Sequence, residues 1–272
     1  MRYTAFGKNE RQVIETGAKK ALIVAIINQK GGVGKSTTAV NLSDALGELK
    51  KKVLLVDLDP QGNATSGLGV EKHAGMKCVY DGLINDANVK DLIIKNASKN
   101  VDVIPATINL AGAEVELMNE YARERRLAEL LVPIENDYDY ILVDCPPSLG
   151  QLTMNALTAA QRMLIPIQCE FYALEGLTKL LETEKIVKAR MNPELESLGV
   201  VMTMYDKRTS LANQVVDEVK NFFGDKVFKT VIPRNVKLAE APSFGQSIIK
   251  YDPSGKGATA YRELAKEVIS RG

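Results

Sequence analysis

Short apolar runs of strand length alternate along this chain with longer stretches of helical period. Residues 21–28, 53–57, 101–105, 140–144, 163–167 and 199–205 are rich in Val, Ile and Leu and predict strands. Between them, 37–49, 120–131, 152–160, 174–191 and 211–223 predict helices. The strand runs are apolar on both faces, as expected where helices cover both sides of a sheet. The alternation therefore implies an α/β fold: a mostly parallel, twisted β-sheet flanked by helices on both faces. No internal repeat, low-complexity segment or long linker interrupts it, so residues 21–272 read as one domain. Residues 1–20 form an N-terminal extension with a charge of +3, either a solvated tail or an arm that touches a partner or nucleic acid.

Composition changes this picture little. The 272 residues are 45% hydrophobic and 25% charged, ordinary globular values that allow a sizeable core. The net charge of +1 provides no global field to select partners. Cys78, Cys145 and Cys169 are widely spaced and His73 is the single histidine, which argues against a Cys/His zinc site. The thiols read as reduced, structural residues of a cytosolic chain. No run of about 18 apolar residues offers a transmembrane helix, and the polar N-terminus lacks the apolar core of a secretory signal.

Candidate chemistry lies where the strands end, because open parallel sheets bind ligands beyond their carboxyl edges. The first strand runs into Lys30-Gly31-Gly32-Val33-Gly34-Lys35-Ser36-Thr37, and a helix follows. Strand, glycine-rich loop and helix form the context of a phosphate-cradling loop, in which backbone N–H groups and the helix N-terminus face phosphate oxygens. Lys35 would reach the β- and γ-phosphates and the Ser36 hydroxyl would bind Mg²⁺. In strict form the first glycine of that loop is missing, and Lys30 has no role in the ordinary scheme. The second and fourth strands end in Asp57 and Asp144. Each carboxylate suits a Mg²⁺ shell, directly or through water, or else caps the following turn. Asp59, two residues beyond Asp57, either orients and deprotonates the attacking water or only caps a turn before Pro60.

These residues, together with Asp57-Leu58-Asp59-Pro60-Gln61-Gly62-Asn63, Asp144-Cys145-Pro146-Pro147-Ser148, Glu170-Phe171-Tyr172-Ala173-Leu174-Glu175-Gly176 and Ile232-Pro233-Arg234-Asn235-Val236-Lys237, resemble the ParA/Soj partition ATPases. That family falls in the deviant Walker A class of P-loop NTPases that also contains MinD. The resemblance runs from about residue 21 to the C-terminus. It implies an ATP hydrolase, weak alone and stimulated by a ParB-like partner, with ATP and Mg²⁺ as cofactors. Lys30, Lys35 and Asp59 are implied as catalytic, with Lys30 crossing an ATP-bound homodimer to the partner's nucleotide. Gly31, Gly32, Val33, Gly34, Ser36 and Thr37 are implied around the phosphates, Pro233 and Asn235 near the adenine, and Ser36, Asp57 and Asp144 around the metal.

The resemblance also implies non-specific DNA binding and a cytoplasmic, nucleoid-associated protein. Residues 205–272 carry twelve Lys/Arg against eight Asp/Glu, and Lys207, Arg208, Arg234 and Lys237 are the candidates for phosphate contacts. Each is equally readable as an ordinary solvated charge. A MinD-like positioning ATPase at a membrane or on other cargo is the alternative. Tyr261, Leu264, Ala265 and Val268 form one helical stripe, which reads as packing on the domain rather than as membrane insertion. A P-loop enzyme transferring phosphate to a small metabolite is a third reading, and it leaves Lys30 without a task.

Overall fold

The computed structural model describes residues 19–170 and 177–272. The expectations for most of the N-terminal extension, for 171–176 of the resemblance and for the first turn of the helix over 174–191 lie outside the described residues. Among the described residues, the strands are β1 (Leu22–Ile26), β2 (Val53–Asp57), β3 (Ile94–Ser98), β4 (Val101–Ile104), β5 (Tyr140–Asp144), β6 (Arg162–Gln168), β7 (Glu196–Tyr205) and β8 (Val227–Pro233). They form one sheet in the order β3-β4-β2-β5-β1-β6-β7-β8. Every neighbouring pair is parallel except β3–β4.

The sheet divides the core into two layers by the two-residue period of its strands. Ile23, Ala25, Leu54, Val56, Ile141 and Val143 face one side. There they meet α3 (Val79–Ile84), α4 (Leu110–Glu116), α5 (Arg126–Leu131), α6 (Gln151–Ala159), α7 (Leu177–Arg190) and α8 (Ser210–Phe223). Val24, Ile26, Val53, Leu55 and Leu142 face the other side. That side carries α1 (Lys35–Glu48), α2 (Asn63–Gly67), α9 (Val236–Glu240), α10 (Ile248–Tyr251) and α11 (Lys256–Arg271). In α11, Tyr261, Leu264, Ala265 and Val268 are buried in this layer, so the C-terminal stripe packs on the sheet as expected. Among the described residues, no helix is long and apolar enough to cross a membrane.

The expected strands all occur, those over 53–57 and 140–144 with the bounds expected and the others with ends moved by at most three residues. Two further strands escape the apolar pattern because they are edges. β3 reads Ile-Lys-Asn-Ala-Ser, is irregular in its pairing, and carries Asn96 at φ 54°. β8 closes the opposite edge and is polar at its centre. The single helix expected over 120–131 is broken. Ala122 takes a left-handed φ of 50°, Asn155 binds the Arg123 carbonyl and caps the Leu127 amide, and only Arg126–Leu131 is α-helical. A side chain from α6 thus overrides local helix propensity.

One contact fixes the height of α1 over the sheet. A Cβ on Gly47 would collide with the Lys99 carbonyl oxygen, and the Gly47 carbonyl accepts from Asn100 Nδ2 at 2.9 Å. Gly→Ala in an open helix stabilises by up to about 1 kcal/mol. Here the steric clash should reverse the sign. We expect Gly47→Ala to lose roughly 1–3 kcal/mol, read as a lower urea midpoint at unchanged slope.

Candidate nucleotide site

The carboxyl ends of β1, β2 and β5 lie side by side, because β5 pairs with β1 on one side and β2 on the other. The loop from β1 to α1 turns through Gly32 at φ 75° and Gly34 at φ 90°, values that favour glycine. A Cβ on Gly31 or Gly32 would meet nothing within 4 Å, so the backbone borders open space of the kind a phosphate needs. The loop is anchored from outside its own sequence. Asn28 Nδ2 donates to the Pro166 carbonyl at 2.7 Å, and Asn28 Oδ1 accepts from the Lys30 amide at 3.0 Å. Thr203 Oγ1 donates to the Val33 carbonyl at 2.8 Å. Sequence reasoning gave no role to Asn28 or Thr203, and the second lies 170 residues from its partner.

The two lysines of the loop point to different places. Lys35 is buried and donates to the Lys30 carbonyl at 3.1 Å. Burial pulls its pKa below the usual lysine value, and the Asp144 carboxylate opposes that shift. Lys30 instead keeps its ammonium at the rim, 41% exposed and 3.3 Å from Glu170. Glu170 is in turn hydrogen-bonded by Gln168.

The expected carboxylates do converge, but they do different work. Asp57 and Asp144 are in register on adjacent strands and fully buried. Asp57 Oδ2 accepts from the Thr65 amide at 2.8 Å and the Thr65 hydroxyl at 2.7 Å, and Oδ1 accepts from the Asp59 amide at 3.1 Å. Burial pushes its pKa up to about 6 against these three bonds. Asp57 therefore organises the following loop rather than offering a free face to a metal. Neither oxygen of Asp144 has a hydrogen-bond partner among the described residues. Burial, then repulsion from Asp57, raises its pKa well above the carboxylate range, while neighbouring Ser36 and Lys35 favour the ionised form.

This orphaned carboxylate beside a hydroxyl fits Mg²⁺, a hard cation that takes one or two protein oxygens and completes its shell with phosphate and water. No group of three or more His, Cys, Asp or Glu that could cage a metal occurs among the described residues. Asp59 caps the turn, one of its two sequence readings, its Oδ1 accepting from the Gln61 amide at 3.0 Å. It also lies at the cleft beside the glycine loop.

That cleft has a volume of about 620 Å³ and is bordered by Gly31, Gly32, Lys35, Ser36, Asp59 and Pro147. A second hollow of about 360 Å³, lined by Ile232, Pro233, Asn235, Val236 and Leu238, shares Gly34, Thr37 and Met204 with the first. The more apolar hollow thus continues from the phosphate cleft, on the side expected for a base. Met204 holds a left-handed φ of 53° at the junction, a strained conformation that nothing in the sequence announces. Asn235 also caps α9 by accepting from the Lys237 amide at 2.9 Å. Cys145 is buried, and its thiol is pushed up by that burial.

The four basic candidates gather around the adjoining ends of β7 and β8, where Tyr205 pairs with Pro233. Arg208 grips Asp206 at 2.6 Å and holds its carboxyl down at about 2. Lys237 pairs with Asp252 at 3.0 Å. Lys207 and Arg234 form no ion pair among the described residues, and the Arg234 amide donates to the Tyr205 carbonyl at 2.9 Å.

An unpartnered buried carboxylate is costly to the ligand-free fold. Asp144→Asn should therefore raise the melting temperature of the nucleotide-free protein at pH 8 by a few degrees while removing the stabilisation added by Mg²⁺ with ATP. Differential scanning calorimetry with and without both ligands checks the two signs.

The profile of the AAA domain family matches residues 21–197. The chain is 58% identical over 250 residues to the sporulation initiation inhibitor protein Soj of Bacillus subtilis, covering 92% of this chain and 99% of that protein. It is 48% identical over 267 residues to the chromosome partitioning protein ParA of Myxococcus xanthus, covering 98% and 93% respectively. Among solved structures, cobyrinic acid a,c-diamide synthase from Mycobacterium smegmatis with bound ADP and magnesium matches at a TM-score of 0.80 and 37% identity, over 90% of this chain and 93% of that one. The cell division ATPase MinD of Pyrococcus furiosus matches at 0.73 and 29%, over 93% and 100%. With its phosphate loop, extra lysine and strand-end carboxylates on one sheet edge, the chain belongs to the ParA/Soj family of P-loop partitioning ATPases.

Proposed function

We propose that this protein is an ATP-driven switch for DNA segregation. ATP closes a homodimer that binds DNA non-specifically, and hydrolysis, accelerated by a ParB-like partner, opens it. Residues 21–272 would act as the ATPase domain, with 1–20 as an extension, in a cytoplasmic protein associated with the nucleoid. The observation that carries the reading is the separation of the two lysines: Lys35 buried in the phosphate cleft, Lys30 exposed on its rim. An ammonium outside its own cleft is suited to another subunit's nucleotide, where it would offset charge as an arginine finger does.

In this reading Gly31, Gly32, Val33, Gly34 and Thr37 surround the phosphates, and Lys35 holds the β- and γ-phosphates. Pro233 and Asn235 border the base. Ser36 and Asp144 hold Mg²⁺, with Asp57 fixing the loop beside them. When bound, the metal would neutralise the charge that develops on the phosphate oxygens. Asp59 aligns the attacking water and accepts its proton, having one oxygen already oriented by Gln61.

The metabolic name of the Mycobacterium smegmatis structure favours another chemistry, but its identity is 37% against 58% for Soj of Bacillus subtilis. A phosphotransfer enzyme also leaves Lys30 unused. The membrane alternative loses its candidate anchor, since the apolar stripe of α11 is spent on the core.

Asp59→Ala should bind ATP and accumulate as a dimer with at least ~10²-fold slower hydrolysis. Sizing by light scattering with ATP, with and without DNA, tests this, and a monomer with normal turnover would refute the reading. Arg208→Glu should weaken DNA binding severalfold and flatten its salt dependence while leaving ATP-dependent dimerisation intact. Unchanged affinity at low salt would remove Arg208 from the DNA surface.

A further inference from the structure

Lys72 lies outside the phosphate loop, the metal shell and the basic surface, yet it contacts the segment that carries Asp59. Its ammonium donates to the Gln61 carbonyl at 2.7 Å and to the Gly62 carbonyl at 3.2 Å. It forms no ion pair among the described residues, so these two carbonyls are its partners there. Gln61 is the residue whose amide orients the Asp59 carboxylate. The segment from Asp59 to Gly62 is a tight turn, closed by the Gly62 amide on the Asp59 carbonyl at 2.8 Å.

Gly62 has a left-handed φ of 63°. A Cβ there would sit 2.8 Å from the Ala106 carbonyl oxygen and 2.9 Å from Lys72 Nζ. The missing side chain is therefore what admits the ammonium so close to the turn. Each end of Gln61 is thus held, its N–H by Asp59 and its carbonyl by Lys72.

We infer that Lys72 is a positioning residue for hydrolysis: by pinning the Gln61 and Gly62 carbonyls it sets the orientation of the Asp59 carboxylate towards the attacking water. The inference rests on the reading of Asp59 as the hydrolytic carboxylate. Asp59 has two anchors of opposite character. Its own amide is tied to the buried Asp57, which holds the fold together. Lys72 is an exposed anchor, on the Gln61 and Gly62 carbonyls. Removing an exposed lysine leaves the core intact, yet it frees a turn whose geometry decides where a carboxylate oxygen points. Catalysis by alignment is sensitive to shifts far smaller than those that unfold a protein. An arginine can bind two carbonyls as well, so the charge and a donor to each carbonyl can be kept while the lysine is lost.

The experiment compares Lys72→Ala and Lys72→Arg in the full chain. Phosphate release is measured across Mg²⁺·ATP concentrations, together with the affinity for a non-hydrolysable ATP analogue and the melting temperature. We expect Lys72→Ala to lower kcat about tenfold, with KM, analogue affinity and melting temperature unchanged, and Lys72→Arg to recover most of the loss. In an Asp59→Ala background, Lys72→Ala should add no further loss, because its effect acts through Asp59. Wild-type kcat in Lys72→Ala overturns the inference, as does a loss shared by analogue affinity or one that persists without Asp59. If Asp59→Ala itself hydrolyses normally, the reading of Asp59 fails first. If Asp59→Ala is slow and Lys72→Ala is not, only the assignment of Lys72 fails.

Discussion

Two carboxylates, Asp57 and Asp144, end adjacent parallel strands in register and out of contact with water. Burying even one charge without compensation costs several kcal/mol. The two are compensated unequally. Asp57 collects three hydrogen bonds from Thr65 and Asp59. Asp144 collects none among the described residues and is left beside Ser36 and Lys35. A cation placed against Asp144 would supply the missing compensation, so the burial that costs the fold stability would strengthen its response to such a ligand.

The hydrogen bonds of Asp57 also tie the rim together. Thr65 Oγ1 donates to Asp57 and accepts from the Ala106 amide at 3.0 Å, which joins the end of β2, the short helix α2 and the exit of β4. Asp59 sits within this unit, and Lys72 holds it from outside. The loop between β1 and α1 is likewise fastened by Asn28 and Thr203 to β6 and β7. The phosphate cleft is therefore bordered by segments braced from the sheet, which is what electrostatic preorganisation requires.

Much of this was legible in the chain. The apolar strands β1, β2 and β5 and the helix α1 follow from local period, and the glycine loop follows from the φ values it needs. Lys35, Ser36, Asp59 and Asp144 are candidates from residue type and from their place in a loop or at a strand end alone. Less legible are the two edge strands: β3 is largely polar, and Lys229 and Thr230 interrupt the apolar run of β8. The role of Asp57 was also concealed, since a strand-end aspartate can face either a metal or the next helix. The basic residues near β7 and β8 were found as charges, but sequence could not foretell that Asp206 and Asp252 would neutralise two of them.

The sequence by itself determined the pieces: which runs become strands, where glycine permits a left-handed turn, and which residues can bind phosphate or a metal. These are properties of neighbouring residues and of their own side-chain chemistry. The tertiary structure alone decided which carboxylate is left unpartnered, because that depends on the register of β2 against β5 and on Thr65 reaching back to Asp57. It also decided that Lys30 rests against Glu170, 140 residues away, and that Lys72 closes on the turn of Asp59. Such contacts form between segments brought together by sheet pairing, and no local pattern encodes the distance between them.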